Sequence, residues 1–344
     1  VGVWNQIGVD EELGLAYLPV QAPSSDFYGG LPPGNHPFPE RPLATAPQPR
    51  QPHAPPNRDH YRQLQDDKGD PLLNRAVSQT YPPGSTFKVI TTAAALSTGG
   101  LSPDSRIPSP RELTLPQTSK TLKNFGGESC GDGKTSTLSD AFRISCNTAF
   151  GQIGLDLGKD KLRTQAQAFG LNDDSLQLAG RVATSVFPTN LSPPQEAQSA
   201  IGQYDVRVTP LQMALVAAGI AHGGDIMRPY LVRELQAPDL SRLDATQPQV
   251  YRRNAVSPQV AAQITAMMEL VVSSGTGTNA QISAVRVAGK TGTAQHAVGE
   301  APHAWFIGFA PANDPKVAVA VVVEDGGSAG SEATGGRIAA PIAR

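Results

Sequence analysis

Cysteine is scarce in this 344-residue chain: Cys130 and Cys146 are the only two, and the six histidines are scattered without any paired Cys–His spacing. Structural zinc sites draw their four ligands from closely spaced Cys and His pairs, so no metal is expected. Long apolar runs are missing as well. The longest candidate, Val317-Ala318-Val319-Ala320-Val321-Val322-Val323, falls far short of the ~20 residues that span a bilayer and reads as a buried strand. Lys and Arg (28) do not outnumber Asp and Glu (30), so the basic excess of a nucleic-acid binder is absent and no such partner is expected. No internal repeat is visible, and the length suits one large domain or two small ones.

What is present is a set of three short motifs. The first is Ser85-Thr86-Phe87-Lys88, which follows a Pro82-Pro83-Gly84 turn and opens an alanine-rich apolar stretch closed by Gly99-Gly100. That pattern predicts a helix with Ser85 in its first turn. Residues three apart share a helix face, so the Lys88 amine can reach the Ser85 hydroxyl as a base reaches a nucleophile. A lysine acts as a base only when neutral, and the positive helix end together with a second cation, Lys290, would disfavour the charged form. Taken alone, the same residues make an ordinary N-cap with a solvated lysine.

The second motif, Ser145-Cys146-Asn147, places a polar triplet between apolar neighbours. Buried Ser and Asn need partners, and a cleft supplies them: Ser145 to relay a proton, Asn147 to hold Lys88 and a substrate amide. A helix-to-helix turn satisfied by its own backbone is the plain alternative. The third, Lys290-Thr291-Gly292 followed by Thr293, falls in an alternating stretch that suits a strand. Gly292 would let a substrate backbone lie against that strand, and the Thr293 amide would join that of Ser85 as an oxyanion hole. Lys290, Thr291 and Thr293 would then bind a terminal carboxylate. An edge-strand end guarded by a lysine is the reading each residue would have without its company.

The ordered trio resembles that of the penicillin-binding and serine β-lactamase enzymes. Further stretches, among them Asn74-Arg75-Ala76, Ile201-Gly202-Gln203, Val208-Thr209-Pro210-Leu211-Gln212 and His303-Ala304-Trp305-Phe306-Ile307-Gly308-Phe309-Ala310-Pro311, are similar to the transpeptidase domain of class B penicillin-binding proteins, especially the actinobacterial penicillin-binding protein A group. The resemblance runs from about residue 61 to the C-terminus. It implies D,D-transpeptidation of peptidoglycan: Ser85 attacks a D-Ala-D-Ala stem, D-Ala leaves, and the amine of a neighbouring stem resolves the acyl-enzyme into a cross-link. It also implies acylation by β-lactams, no cofactor, cell-division or elongation proteins as partners, and an extracytoplasmic site of action with the membrane anchor and pedestal outside this chain. Slow deacylation is expected. A β-lactamase would usually carry S-x-V at the second motif, and Glu196-Ala197-Gln198-Ser199-Ala200 does not match the E-x-x-L-N of another β-lactamase class. A non-turnover β-lactam sensor is the third reading. In an exported domain Cys130 and Cys146 suggest a disulfide, as some relatives have, with two thiols as the alternative.

The fold expected is α+β, an antiparallel sheet between helices with a helical subdomain. Helices are predicted at 159–169 and after Thr209-Pro210 and Ser257-Pro258; strands are predicted at 227–234, 284–295, 304–310 and 316–324. The N-terminal part departs from the family. Residues 1–35, including Trp4-Asn5-Gln6-Ile7-Gly8-Val9-Asp10, are similar to a segment of quinoprotein dehydrogenases, too short to carry a cofactor site, so no dehydrogenase activity is expected. Residues 1–31 read as a hairpin able to take the edge of the sheet. Residues 32–58, with ten prolines, read as an extended linker. Residues 59–344 would form the transpeptidase domain, its final helix truncated.

Overall fold

The computed structural model describes residues 70–178, 181–237, 241–297 and 299–344, together with 62, 65–67 and the strand backbones 2–3, 8–10 and 15–21. The expected linker at 32–58 lies outside the described residues. One six-stranded sheet organises the molecule: β1 (Gly2–Val3), β2 (Gly8–Asp10), β3 (Leu15–Gln21), β4 (Ala288–Ala294), β5 (His303–Ala310) and β6 (Val317–Val323). Its order is β1, β3, β6, β5, β4, with β2 also paired to β3. The β6–β5 and β5–β4 pairs are antiparallel, as anticipated, whereas β3 runs parallel to β6.

The period-two alternation of β5 and β6 builds two cores. Trp305, Ile307, Ala320 and Val322 point to the main helical core, while Ala304, Phe306, Val321 and Val323 face a smaller core closed by Ala333, Ala339 and Ala340 of the C-terminal segment. Three layers result. The middle helix, α5 (Pro210–Ala221), lies across β3, β5 and β6, and its run from Pro210 to Ile220 is buried on every side. Thr209 caps it by accepting from the Gln212 amide (3.0 Å), and Ser257 does the same for α6 (Pro258–Ser274), which packs on β4. The helical subdomain holds α1 (Lys88–Ser97), α2 (Leu138–Arg143), α3 (Asn147–Ala168) and α4 (Pro193–Ser199), with α3 packed on α1 and α4.

Several boundaries differ from the sequence expectation. The helix expected at 159–169 is the second half of α3, which begins at Asn147 and is broken at Gly158 (φ 75°). The strand expected at 227–234 is two short pieces with different partners: Ile226–Met227 pairs with Val250–Arg252, and Glu234–Gln236 pairs with Arg242–Ala245. The 284–295 stretch shortens to β4.

Candidate active site

The Pro83-Gly84 turn does not lead straight into an α-helix. Ser85 sits in a 3₁₀ turn, Gly84–Phe87, and the α-helical ladder begins at Lys88. This turn is fixed from below: Trp305 Nε1 donates to the Pro82 carbonyl (3.0 Å), and the Gly84 amide donates to the Gly202 carbonyl (2.9 Å). The second motif forms the corner between α2 and α3, where Ser145 adopts φ 63°. A non-glycine residue in that region carries roughly 1–3 kcal/mol of strain, and here the conformation turns the Ser145 carbonyl and hydroxyl toward Lys88. Lys290 reaches in from β4, the edge strand of the sheet.

These elements converge on one hydrogen-bonded cluster. Lys88 Nζ lies 2.7 Å from the Ser145 carbonyl, 2.8 Å from Asn147 Oδ1 and 3.2 Å from Ser145 Oγ. Lys290 Nζ donates to Ser145 Oγ (2.9 Å) and to the Thr291 carbonyl (3.0 Å). Both amines are fully buried, Lys88 beside the Phe150 ring and Lys290 beside the Phe142 ring. Burial is the main force that holds Lys88 well below the ordinary lysine range, and the neighbouring Lys290 charge adds to it. Burial likewise brings Lys290 down to about 7.

A neutral Lys88 has two hydrogens and one lone pair for its three neighbours. Two of those neighbours are carbonyl oxygens that can only accept, so the lone pair faces the Ser145 hydroxyl, which itself accepts from Lys290. The direct Ser85–Lys88 hydrogen bond anticipated from helical spacing is not formed, because the second motif saturates the amine. The Ser85 hydroxyl has no hydrogen-bond partner among the described residues and faces a cleft of about 520 Å³. Ser145, Asn147, Thr291, Gly292 and Thr293 line the same cleft, with Lys88 and Lys290 buried behind it.

A family model for the penicillin binding protein transpeptidase domain matches residues 44–344. The chain belongs to the penicillin-binding transpeptidase family. It is 52% identical over 289 residues to peptidoglycan D,D-transpeptidase PbpA of Mycolicibacterium smegmatis, an alignment that covers 83% of this chain and 58% of that protein. To PbpA of Mycobacterium tuberculosis it is 48% identical over 290 residues, with the same 83% and 58% coverage. Its structure is similar to that of penicillin-binding protein A from M. tuberculosis in a ceftriaxone acyl-enzyme complex, with a TM-score of 0.79 at 46% identity, covering 83% of this chain and 64% of that one. The chain therefore spans less than two thirds of these relatives' own lengths.

Within this penicillin-binding domain, Gly292 lines the cleft and also meets a packing requirement that the strand pattern does not reveal. A Cβ there would stand 2.9 Å from the Pro83 carbonyl and 3.0 Å from Thr86 Cγ2, so the missing side chain lets β4 press against the serine turn. Thr291 Oγ1 is hydrogen-bonded to Thr276 Oγ1, and Thr293 Oγ1 accepts from the Gly335 amide (3.4 Å). Asn147 Nδ2 donates to the Lys123 carbonyl (3.1 Å), which leaves one amide hydrogen for a ligand.

Several residues of this site lie outside the three motifs. Asn124 accepts from the amides of Asn147 (2.8 Å) and Thr148 (3.1 Å), and so caps α3 at the residue that holds Lys88. Phe142 and Phe150 stand three residues either side of the second motif, a symmetry visible in the sequence but without chemical meaning until the lysines are placed. Cys130 and Cys146 are joined in a disulfide, with Cys146 at the N-cap of α3. Reduction is expected to lower stability by about 3 kcal/mol through the reopened loop. Urea unfolding with and without reductant checks this, and superimposable curves would contradict it.

One group of metal-ligand character occurs among the described residues. His296, His303 and Asp325 bring ligand atoms within 4.8 Å of one another, a juxtaposition the scattered spacing of the histidines conceals. The His303 Nδ1 lone pair is already engaged by the Asp325 amide (3.1 Å), and the two imidazoles stack at 4.0 Å. Burial, reinforced by His296, lowers His303 to about 4. The folded state therefore binds fewer protons at this site than the unfolded chain, and stability is lost as pH falls from about 6.5 toward about 4. His303→Gln is expected to flatten the midpoint-versus-pH curve in that window, and an unchanged slope would assign the acid sensitivity elsewhere.

Proposed function

We propose that this chain is the catalytic domain of a peptidoglycan D,D-transpeptidase that works through a Ser85 acyl-enzyme. The observation that carries the reading is a buried, weakly basic Lys88 clamped between Ser145 and Asn147 behind a cleft that the Ser85 hydroxyl faces. Lys88 takes the Ser85 proton through Ser145. The serine oxygen then attacks the penultimate carbonyl of a D-Ala-D-Ala stem, and the amides of Ser85 and Thr293 hold the developing oxyanion. The C–N bond breaks and D-Ala leaves with the proton returned through Ser145. Lys290, Thr291 and Thr293 receive the donor's terminal carboxylate, while Gly292 keeps the strand close to the serine turn.

An amine of a second stem then replaces Ser85 at the acyl carbon. β-Lactams enter by the same attack. Residues 59–344 constitute the catalytic domain in this proposal, 32–58 a linker and 1–31 a hairpin-like segment. The reaction takes place outside the cytoplasmic membrane alongside division or elongation proteins. Among the described residues no helix is long and apolar enough to cross a membrane. The test is release of D-Ala from a stem-peptide mimic with transfer of its acyl group to an acceptor amine. Rapid release of penicilloic acid without transfer would instead mark a β-lactamase, and a long-lived penicillin adduct without D-Ala release would mark a sensor.

A further inference from the structure

Only two charged side chains line the cleft among the described residues, and they are of opposite sign. Arg337 belongs to the wall built on β4: its neighbour Gly335 donates to Thr293 Oγ1, and the Gly336 carbonyl accepts from Asn279 (2.9 Å). Glu128 belongs to the wall built on the second motif. Its carbonyl accepts from Asn124 Nδ2 (2.9 Å), Asn124 Oδ1 accepts from the Asn147 amide, and Asn147 Oδ1 accepts from Lys88. The loop that carries it, 124–130, is tied down at its far end by the Cys130–Cys146 disulfide.

The Glu128 carboxylate has no ion-pair or hydrogen-bond partner among the described residues. On neighbouring stretches of the chain Lys123 pairs with Glu112 (3.0 Å), and Arg111 Nε donates to the Gly127 carbonyl (2.9 Å). On the same loop Phe125 is 70% exposed and also lines the cleft, so its ring is open to a ligand there.

An unpaired carboxylate and an exposed ring on one cleft-lining loop suit an organic ammonium group, through charge and through the face of the ring. The scissile end of the donor cannot be that ligand, since its D-Ala carboxylate is repelled by Glu128 and drawn to the Lys290 and Arg337 side. The acceptor can, because its nucleophile is an amine that is protonated in water at neutral pH. We propose that Glu128, with Phe125 of the same loop, binds the ammonium group of the acceptor stem and delivers it along the second-motif wall, so that donor and acceptor enter the cleft from oppositely charged sides.

This rests on the transpeptidase reading above. The bound ammonium sheds one proton to solvent, and the free amine forms the C–N bond to the acyl carbon. The acyl bond to Ser85 Oγ breaks, and the second amine proton passes through Ser145 and Lys88 to the serine oxygen. Glu128 is a positioning residue in this scheme and not a base.

The experiment is a partition measurement on the acyl-enzyme formed from a D-alanyl thioester donor, with penicillin adduct yield used to count folded sites. D-Alaninamide serves as the cationic acceptor and hydroxylamine as a nucleophile uncharged at neutral pH. Glu128→Gln is expected to raise the D-alaninamide KM about fivefold with kcat little changed and hydroxylamine partition unmoved, the size of one partly exposed charge pair. Glu128→Asp should recover part of the difference, and high salt should shrink it. An unmoved D-alaninamide KM overturns the proposal, as does an equal loss toward hydroxylamine, which would make Glu128 a support for the loop. A parent protein that forms no acyl-enzyme overturns the transpeptidase reading itself, and this inference with it.

Discussion

A fluorescent penicillin is expected to label the folded protein once, with intact mass showing a single covalent adduct, and Ser85→Ala is expected to abolish the label. Ser85 offers a hydroxyl without a partner among the described residues, in a cleft with two buried amines behind it. Replacing Lys88 should slow labelling by roughly 10²–10⁴-fold, the usual worth of a positioned base. The choice of replacement separates chemistry from packing. Lys88→Ala would leave a void and strip the Ser145 carbonyl and Asn147 Oδ1 of their donor, whereas Lys88→Met keeps most of the volume. Lys88→Arg should not rescue, because a guanidinium stays protonated and cannot take the serine proton. Wild-type labelling in the Ser85→Ala protein would displace the nucleophile to another residue, and wild-type rates in Lys88→Met would remove Lys88 from the proton path.

Gly202→Ala is expected to damage both fold and acylation. Gly202 has φ 73°, and a Cβ there would stand 2.1 Å from the Gly84 carbonyl oxygen and 2.7 Å from Phe87 Cβ. The left-handed backbone and the overlap together should cost about 2–5 kcal/mol. Relief requires the serine turn to move, since the Gly84 amide is hydrogen-bonded to the Gly202 carbonyl. Acylation should therefore fall at least tenfold even where the protein stays folded, a loss of about 1.4 kcal/mol or more in transition-state binding. Gly99→Ala is the control: φ is 71° there, with nothing within 4 Å of the added carbon, so only the backbone term remains and labelling should persist. Equal stability and equal labelling in the two variants would show that the close approach at Gly202 is not what holds the turn.

The hydroxyls, amines and amides of the site were legible in the chain because each motif is short and its residue types declare their chemistry. The α+β layering was legible for the same kind of reason, since Thr209-Pro210 and Ser257-Pro258 are local helix starts and β5 and β6 alternate with period two. Helical spacing misled at Ser85, where a 3₁₀ turn replaces the first α-helical turn and Lys88 is claimed by the corner at Ser145. Strand spacing could not show that the missing side chain of Gly292 also lets β4 approach the serine turn.

By itself the sequence determined which groups are available and which elements carry them, because caps, turns and alternation are set by residues near one another in the chain. Tertiary structure alone decided how those groups behave. Lys88 and Lys290 are 202 positions apart, yet they meet at one serine hydroxyl with Phe142 and Phe150 around them, and their lowered basicity follows from the water that this long-range packing excludes. Glu128 and Arg337 come to line one cleft for the same reason: the charge a ligand meets is set by which distant segments the fold brings together.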